Sequence, residues 1–300
     1  MKDFMAAVAG IFGKRYTVRQ KVRFINYIQN REQKKEIQVQ VKEGHGCGNR
    51  VCRNVYVGNI KGADTVIAVP YDTPPQRILP VWNYYPARAD KNLRTDTAVM
   101  ILHILAAVIL TIVYFLILRN LRQVGTLGTI VLLFPMACLD VKLIFGWGNK
   151  NNVSRNSASI VTALEFLDRY PKKAAVALLD QSCCGFWGYK CMKEDLQEKA
   201  AVKNVIVLDC ISSGGSLFLH YNEGERLQIQ DREITLKPIM QDKKNQSVLG
   251  LFERGVLLTG GEDGKNIGIR NTGCSRDMEI NLAKMDKTIH VLYELCTGFR

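Results

Sequence analysis

Along most of the chain apolar residues come in short bursts separated by polar turns, but between positions 98 and 148 they hardly stop. Val18, Val22, Ile25 and Ile28 recur at the spacing of one helix face and predict a helix there. Ile37, Val39 and Val41 alternate as in a half-buried strand, with Asn54 to Val57 as a second candidate strand. Thr65 to Val69 is an unbroken apolar run closed by Pro70-Tyr71-Asp72-Thr73-Pro74, the form of a strand buried on both faces and ended by a turn. Ala174 to Leu179 and Val205 to Leu208 repeat that form, the second closing on Asp209, and shorter strands are predicted around Ile234 and at Val256-Leu257-Leu258. Helices are predicted from Ala158 to Leu167, after Gly188, and from about Met278 to Leu295. The run Phe4 to Phe12 follows an acidic residue, Asp3, and reads as a short amphipathic or core helix, not a secretory leader. Strands alternating with helices imply an α/β domain, a mainly parallel sheet covered on both faces.

The long apolar region needs a different solvent. Ala98 to Leu118 is 21 residues without a charge, about 30 Å of helix, which is the hydrocarbon thickness of a bilayer. After Arg119-Asn120-Leu121-Arg122-Gln123 a second stretch runs from Val124 to Leu139 and on past Asp140 and Lys142 to about Trp147. The expectation is a two-helix transmembrane hairpin, spans about 98–118 and 124–147, with Asp140 and Lys142 near an interface. It would interrupt one discontinuous domain made of residues 1–97 and 149–300. Five basic residues flank the pair (Arg88, Lys91, Arg94, Lys150, Arg155) against two in the connection (Arg119, Arg122), which favours a cytoplasmic soluble domain.

Charge and cysteine content refine this picture. A formal charge of +13 suits an anionic partner, nucleic acid or an acidic membrane leaflet. The basic residues are spread along the chain without an aromatic platform, so nucleic acid is the weaker reading. Nine scattered cysteines agree with reduced thiols in a reducing compartment. His45-Gly46-Cys47 with Cys52 could form part of a metal site but reads more simply as a Gly-rich hairpin turn. Cys183, Cys184, Cys191, Cys210 and Cys274 could gather near one cleft as soft-metal or thiol chemistry, or merely pack. Gly260-Gly261-Glu262-Asp263-Gly264 lacks the spacing of a phosphate loop and is expected to be a turn.

In parallel sheets, chemistry gathers at the carboxyl ends of strands. Here those ends are Pro70 to Pro74, Asp180 to Gly188, and Asp209 to Gly215. Their order, with Asn54-Val55-Tyr56-Val57-Gly58 before the first, Arg155-Asn156-Ser157-Ala158-Ser159 opening a helix, and Asn271-Thr272 with Asp277 before the last, resembles the zinc-dependent aminopeptidase family that includes bacterial leucyl aminopeptidases, glutamate carboxypeptidases and glutaminyl cyclases. The resemblance covers nearly the whole chain outside the apolar region. It implies a three-layer α/β/α sandwich of the zinc-exopeptidase type.

Residue by residue, the resemblance also implies a lost site. Pro70 stands where the family has its first His, and Arg155 where it has the bridging Asp. Ser182 takes the place of the general-base Glu, Cys183 of a ligand Glu, and Asn271 of the last His. Asp72, which in the family orients the first His, and the ligand Asp209 remain. A two-zinc hydrolase site needs imidazoles, a bridging carboxylate and a base, and His45, His103, His220 and His290 lie elsewhere. The expectation is a membrane-anchored pseudoenzyme without catalytic residues, metal or cofactor, whose former cleft faces the bilayer. Arg155 would then receive an anionic terminus, a lipid head group, a peptide or a membrane protein. The alternative is an active membrane metallopeptidase with a rearranged zinc site.

Overall fold

The computed structural model describes residues 1–77, 83–120, 126–183, 185–197, 203–223, 229, 231, 233–264 and 267–298. An eight-stranded mixed, mainly parallel sheet forms its centre, ordered β1-β2-β4-β3-β5-β8-β6-β7. The strands are β1 (Val39–His45), β2 (Val51–Val57), β3 (Thr65–Pro70), β4 (Ala175–Leu179), β5 (Asn204–Asp209), β6 (Ser216–Asn222), β7 (Ile234–Ile239) and β8 (Gly255–Gly261). β4, β3, β5 and β8 run parallel to one another. β1, β2 and β6 pair antiparallel with their inner neighbours.

Two layers cover the sheet, and the alternation of side chains assigns them. Ile67 and Val69, Val176 and Leu178, Ile206 and Leu208 point to one face. There they meet α1 (Lys2–Ala6) with the turn Ala7–Ile11 after it, α2 (Val18–Gln33), α5 (Ala158–Arg169) and α7 (Leu282–Gly298). Val66 and Ala68, Ala175 and Ala177, Val205 and Val207 point to the other face, against α6 (Trp187–Leu196) and the turns around Val248 and Leu249. Both faces being covered explains why the central strands read as unbroken apolar runs.

The elements fall where the apolar pattern puts them, with four corrections. α2 buries Phe24, Ile25, Ile28 and Glu32 while Val18 and Val22 are exposed, so the helix is turned from the face those valines mark. α7 starts at Leu282, four residues after the expected Met278. Gly260 and Gly261 belong to β8, not to a turn. They remain extended because backbone packs where side chains would be: a Cβ on Gly260 would lie 2.3 Å from the Ser213 carbonyl oxygen. β6 has no counterpart among the expected strands.

Between β3 and α5 the chain leaves the sandwich through α3 (Ala89–Asn120) and α4 (Thr126–Phe145). Among the described residues one helix, Ala89–Leu118, is long and apolar enough to cross a membrane. α4 packs against α3, is 20 residues long, contains Pro135 and carries Asp140 and Lys142. Of the expected second span, residues 124 and 125 lie outside the described residues, as does Arg122 of the connection. Asp140 does not reach outward as expected; its Oδ2 accepts a hydrogen bond from Thr111 Oγ1 of α3 at 2.9 Å. Ile101, Leu105, Val108, Ile109, Ile112, Phe115 and Leu116 of α3, with Val131 and Phe134 of α4, are exposed.

Candidate functional site

The topology brings three strand ends side by side. β3 lies between β4 and β5, so Asp72 just beyond β3 stands between the turn after β4 and the end of β5. The chain reaches β4 on one side of β3 and then returns to β5 on the other, a switch of direction that opens a crevice at the carboxyl edge. Both outer turns begin with a left-handed residue that is not glycine, Gln181 (φ 48°) and Cys210 (φ 54°). Each follows an aspartate, Asp180 just after β4 and Asp209 at the end of β5, in a costly conformation held by the surrounding structure.

Asp72 is buried, and its carboxylate accepts hydrogen bonds from the backbone N–H groups of Ser182 (3.0 Å) and Cys183 (3.3 Å). Burial raises its pKa, opposed by the charge of Lys21. Its carbonyl accepts from Asn156 Nδ2 and, at 2.9 Å, from the Cys183 thiol. Ser182 donates its hydroxyl to the Asp180 carbonyl at 3.1 Å. Asp180 in turn is paired with Lys21 and accepts from Arg53 N–H at 3.1 Å. The β4 turn closes tightly over this network. A Cβ on Gly188 would lie 2.2 Å from the Asp180 carbonyl oxygen and 2.6 Å from Ser182 Oγ. Gly188→Ala is therefore expected to cost about 2–4 kcal/mol through overpacking against backbone, read as a lowered urea midpoint at unchanged slope.

Arg155 occupies the centre. It sits in a single wide turn, Val153–Ser157, that leads into α5. The Asp277 carboxylate holds the start of that turn, accepting from Ser154 N–H (2.8 Å) and Arg155 N–H (3.3 Å). The guanidinium pairs with the Asp209 carboxylate and lies 3.7 Å from the centroid of the Tyr84 ring. Tyr84 donates its hydroxyl to the other Asp209 oxygen at 2.6 Å. Arg155 is 3% exposed and Asp209 5%. Burial alone would lower the Arg155 pKa, but Asp209 and the other groups facing it raise it well above the ordinary value, so the cation persists. Burial raises the Tyr84 pKa far above its ordinary value, with Asp209 adding to the effect, and the phenol remains a donor.

The remaining expected residues do not converge. Pro70 ends β3 and offers no side-chain donor. Asn271 adopts a left-handed conformation, φ 64°, and its carbonyl accepts from the Cys274 thiol at 3.0 Å. His45 and Cys47 are exposed at the β1–β2 turn, while Cys52 is buried and donates toward the Asp180 carbonyl at 3.7 Å. Of the cysteines, Cys183 at Asp72 and Cys210 at Asp209 both face Arg155, whereas Cys191 lies at the His45 carbonyl beside Cys52 and Cys274 at Asn271. Cys184 lies outside the described residues. Among the described residues no three His, Cys, Asp or Glu side chains meet in a way that could hold a metal ion. The residues at the carboxyl edge therefore do not fit a zinc pair: the carboxylate suited to one already holds a fixed cation. Arg155 is also not the open anion receptor expected from sequence, since its charge is buried and spent on Asp209.

Two participants escaped the sequence reading. Tyr84 lies in an irregular segment with no periodicity to mark it. Arg15 resembles a flanking charge beside Lys14, yet it is fully buried. Its guanidinium donates to the carbonyls of Tyr71 (2.6 Å), Val8 (3.1 Å) and Phe12 (2.6 Å) and to Ser157 Oγ (3.3 Å). Burial lowers its pKa to about 10. It fastens the N-terminal helices beneath the strand end that carries Asp72.

Asp277 gives this edge a pH signature. Burial pushes its carboxyl up to about 7, against the hydrogen bonds from Ser154 and Arg155. Its folded pKa lies above its unfolded one, so between pH 4 and 7 the folded state binds the extra proton. Stability then falls as pH rises across that window, by up to about 1.4 kcal/mol per unit, and levels off above it. Asp277→Asn is expected to flatten that part of the stability curve, which denaturant titrations at a series of pH values would read directly.

No protein-family profile and no curated protein matches the chain by sequence. Solved structures match its fold across its whole length. A Zn-dependent exopeptidase from Parabacteroides distasonis superposes with a TM-score of 0.57 at 9% identity, covering 98% of this chain and 97% of that one. The glutaminyl cyclase of Porphyromonas gingivalis gives 0.55 at 9% identity, covering 98% and 95%. The LapA aminopeptidase of Legionella pneumophila gives 0.54 at 8% identity, covering 100% of this chain and 70% of that one. The chain is thus similar in fold to Zn-dependent exopeptidases, aminopeptidases and glutaminyl cyclases.

Proposed function

We propose that this chain is a membrane-anchored, non-catalytic protein of the zinc-exopeptidase fold, acting as a binding module. The observation that carries this reading is the ion pair of Arg155 with Asp209, capped by Tyr84. In the fold's hydrolases, as the sequence resemblance has it, metal ions neutralise the carboxylates at the carboxyl edge of the sheet. Here a guanidinium performs that electrostatic task, so the edge stays folded without supplying a Lewis acid or an activated water. Of the described residues expected at a base position or beside it, Ser182 donates to a carbonyl and Asp72 accepts from two backbone N–H groups, so neither is free to act as a general base.

Membrane attachment is the second part of the reading. α3 is the membrane-inserted helix, with α4 packed against it, and the sandwich lies on the cytoplasmic side. Support comes from the exposed apolar side chains of α3, which in water would make a patch far larger than soluble monomers tolerate. The hydrogen bond from Thr111 to Asp140 satisfies a carboxylate that would otherwise be costly there. Arg155 drops out of the flanking-charge count because it is buried inside the sandwich, which leaves four flanking cations against two in the connection.

The test is an assay of the full chain, purified in detergent, for amino-acid release from dipeptides and for cyclisation of N-terminal glutamine peptides, with and without added zinc. The expected result is no turnover above a denatured control. Chelator-sensitive turnover would establish an active metallopeptidase or cyclase instead. Alkaline extraction of expressing cells completes it: the chain is expected to stay with the membrane pellet.

A further inference from the structure

Three basic side chains, Arg88, Lys237 and Lys243, line one cavity away from Asp209. At the edge of the sheet formed by β6 and β7, a cavity of about 230 Å³ is lined by Arg88, His220, Lys237, Met240, Lys243 and Ile267, among others. These come from four parts of the chain: the segment just before α3, β6, β7 with the turn after it, and the loop after β8. His220 and Lys237 are register partners on neighbouring strands.

His220 makes this cavity more than a patch of basic residues. It is 7% exposed, and its Nε2 has no hydrogen-bond partner among the described residues. Buried polar atoms are almost always paired, and the residue that carries this unpaired one lines a cavity whose charged walls, Arg88, Lys237 and Lys243, are cations. Arg88 shares its charge with Asp90 and Lys237 with Asp263, at 2.8 and 3.1 Å. The Lys243 ammonium lies 4.0 Å from the Met240 sulfur. A divalent cation is disfavoured there. The volume lies below the range of about 300–1,000 Å³ typical of drug-sized ligands, so the occupant is compact.

We propose that this cavity binds a phosphate monoester, with His220 Nε2 donating to a phosphate oxygen and Lys237 and Lys243 supplying the charge. The ligand is either a small soluble phosphorylated molecule or the head group of a phosphatidic-acid-type lipid. The lipid source has the advantage that Arg88 immediately precedes α3. The inference does not depend on the Arg155 site, and its readout is independent of any turnover.

The test uses the full chain, histidine-labelled with ¹⁵N, in nanodiscs of phosphatidylcholine. Inorganic phosphate and glycerol 3-phosphate are titrated in turn, and a second preparation contains phosphatidic acid in the disc. The His220 Nε2 signal, assigned by its loss in His220→Gln, is expected to move saturably. Movement with the soluble probes identifies a soluble ligand, and movement only with phosphatidic acid identifies a lipid. Lys243→Glu, at a half-exposed position, is expected to weaken binding about tenfold or more, with an unchanged circular dichroism spectrum confirming the fold. A signal that stays still with all three probes, or moves equally in Lys243→Glu, would overturn the proposal.

Discussion

Arg155→Met is expected to destabilise the folded domain by about 3–5 kcal/mol, because it leaves the Asp209 carboxylate buried without its counter-charge. For a domain of this size that is a fall of about 10 °C in the unfolding midpoint. Two further variants separate charge from packing. Asp209→Asn should lose a similar amount by stranding the guanidinium, which the Tyr84 ring only partly compensates. The double variant Arg155→Met with Asp209→Leu should recover most of the loss, since replacing both partners of a buried pair with apolar groups is often close to neutral. Thermal unfolding of the four proteins, followed by intrinsic fluorescence, checks this cycle. Additive losses in the double variant would mean that the pair is not a unit.

Arg15→Met is expected to be comparably damaging for a different reason. Among the described residues Arg15 has no ion pair to break. Instead three carbonyls and a hydroxyl lose a donor in a place water does not reach. Leaving buried acceptors unsatisfied costs about 1–3 kcal/mol each when nothing relaxes, so a total loss of at least about 3 kcal/mol is expected. Lysine should restore only part of it, because one ammonium cannot span the directions that the planar guanidinium serves. Limited proteolysis gives the sharper readout. Cleavage should appear first between residues 1 and 33, where α1 and α2 are released from the strand end they cover. Cleavage that begins elsewhere would show that Arg15 does not fasten this segment.

The sequence carried the sheet further than the site. β3, β4 and β5 were legible because strands buried on both faces must be apolar at every position. β6 was hidden: its run Leu217-Phe218-Leu219 is short, begins after Gly214-Gly215 and continues into His220. α2 shows a related limit, since periodicity gave the element but two of the four marked positions face solvent. The use made of Arg155 was only half legible. Its position was clear, but its partner Tyr84 stands 125 residues before Asp209 in an irregular segment, and long-range polar contacts leave no local pattern. Arg15 is the extreme case, a buried cation whose partners are mostly backbone carbonyls, which every sequence has.

The proposed function turns on Arg155 already occupying the Asp209 carboxylate at the carboxyl edge of the sheet. Zinc titration of the purified full chain by calorimetry, alongside Asp209→Asn, tests that most directly. No saturable binding that depends on Asp209 is expected, whatever the exposed thiols take up. A stoichiometric zinc ion bound to the wild-type chain and lost in Asp209→Asn would contradict it.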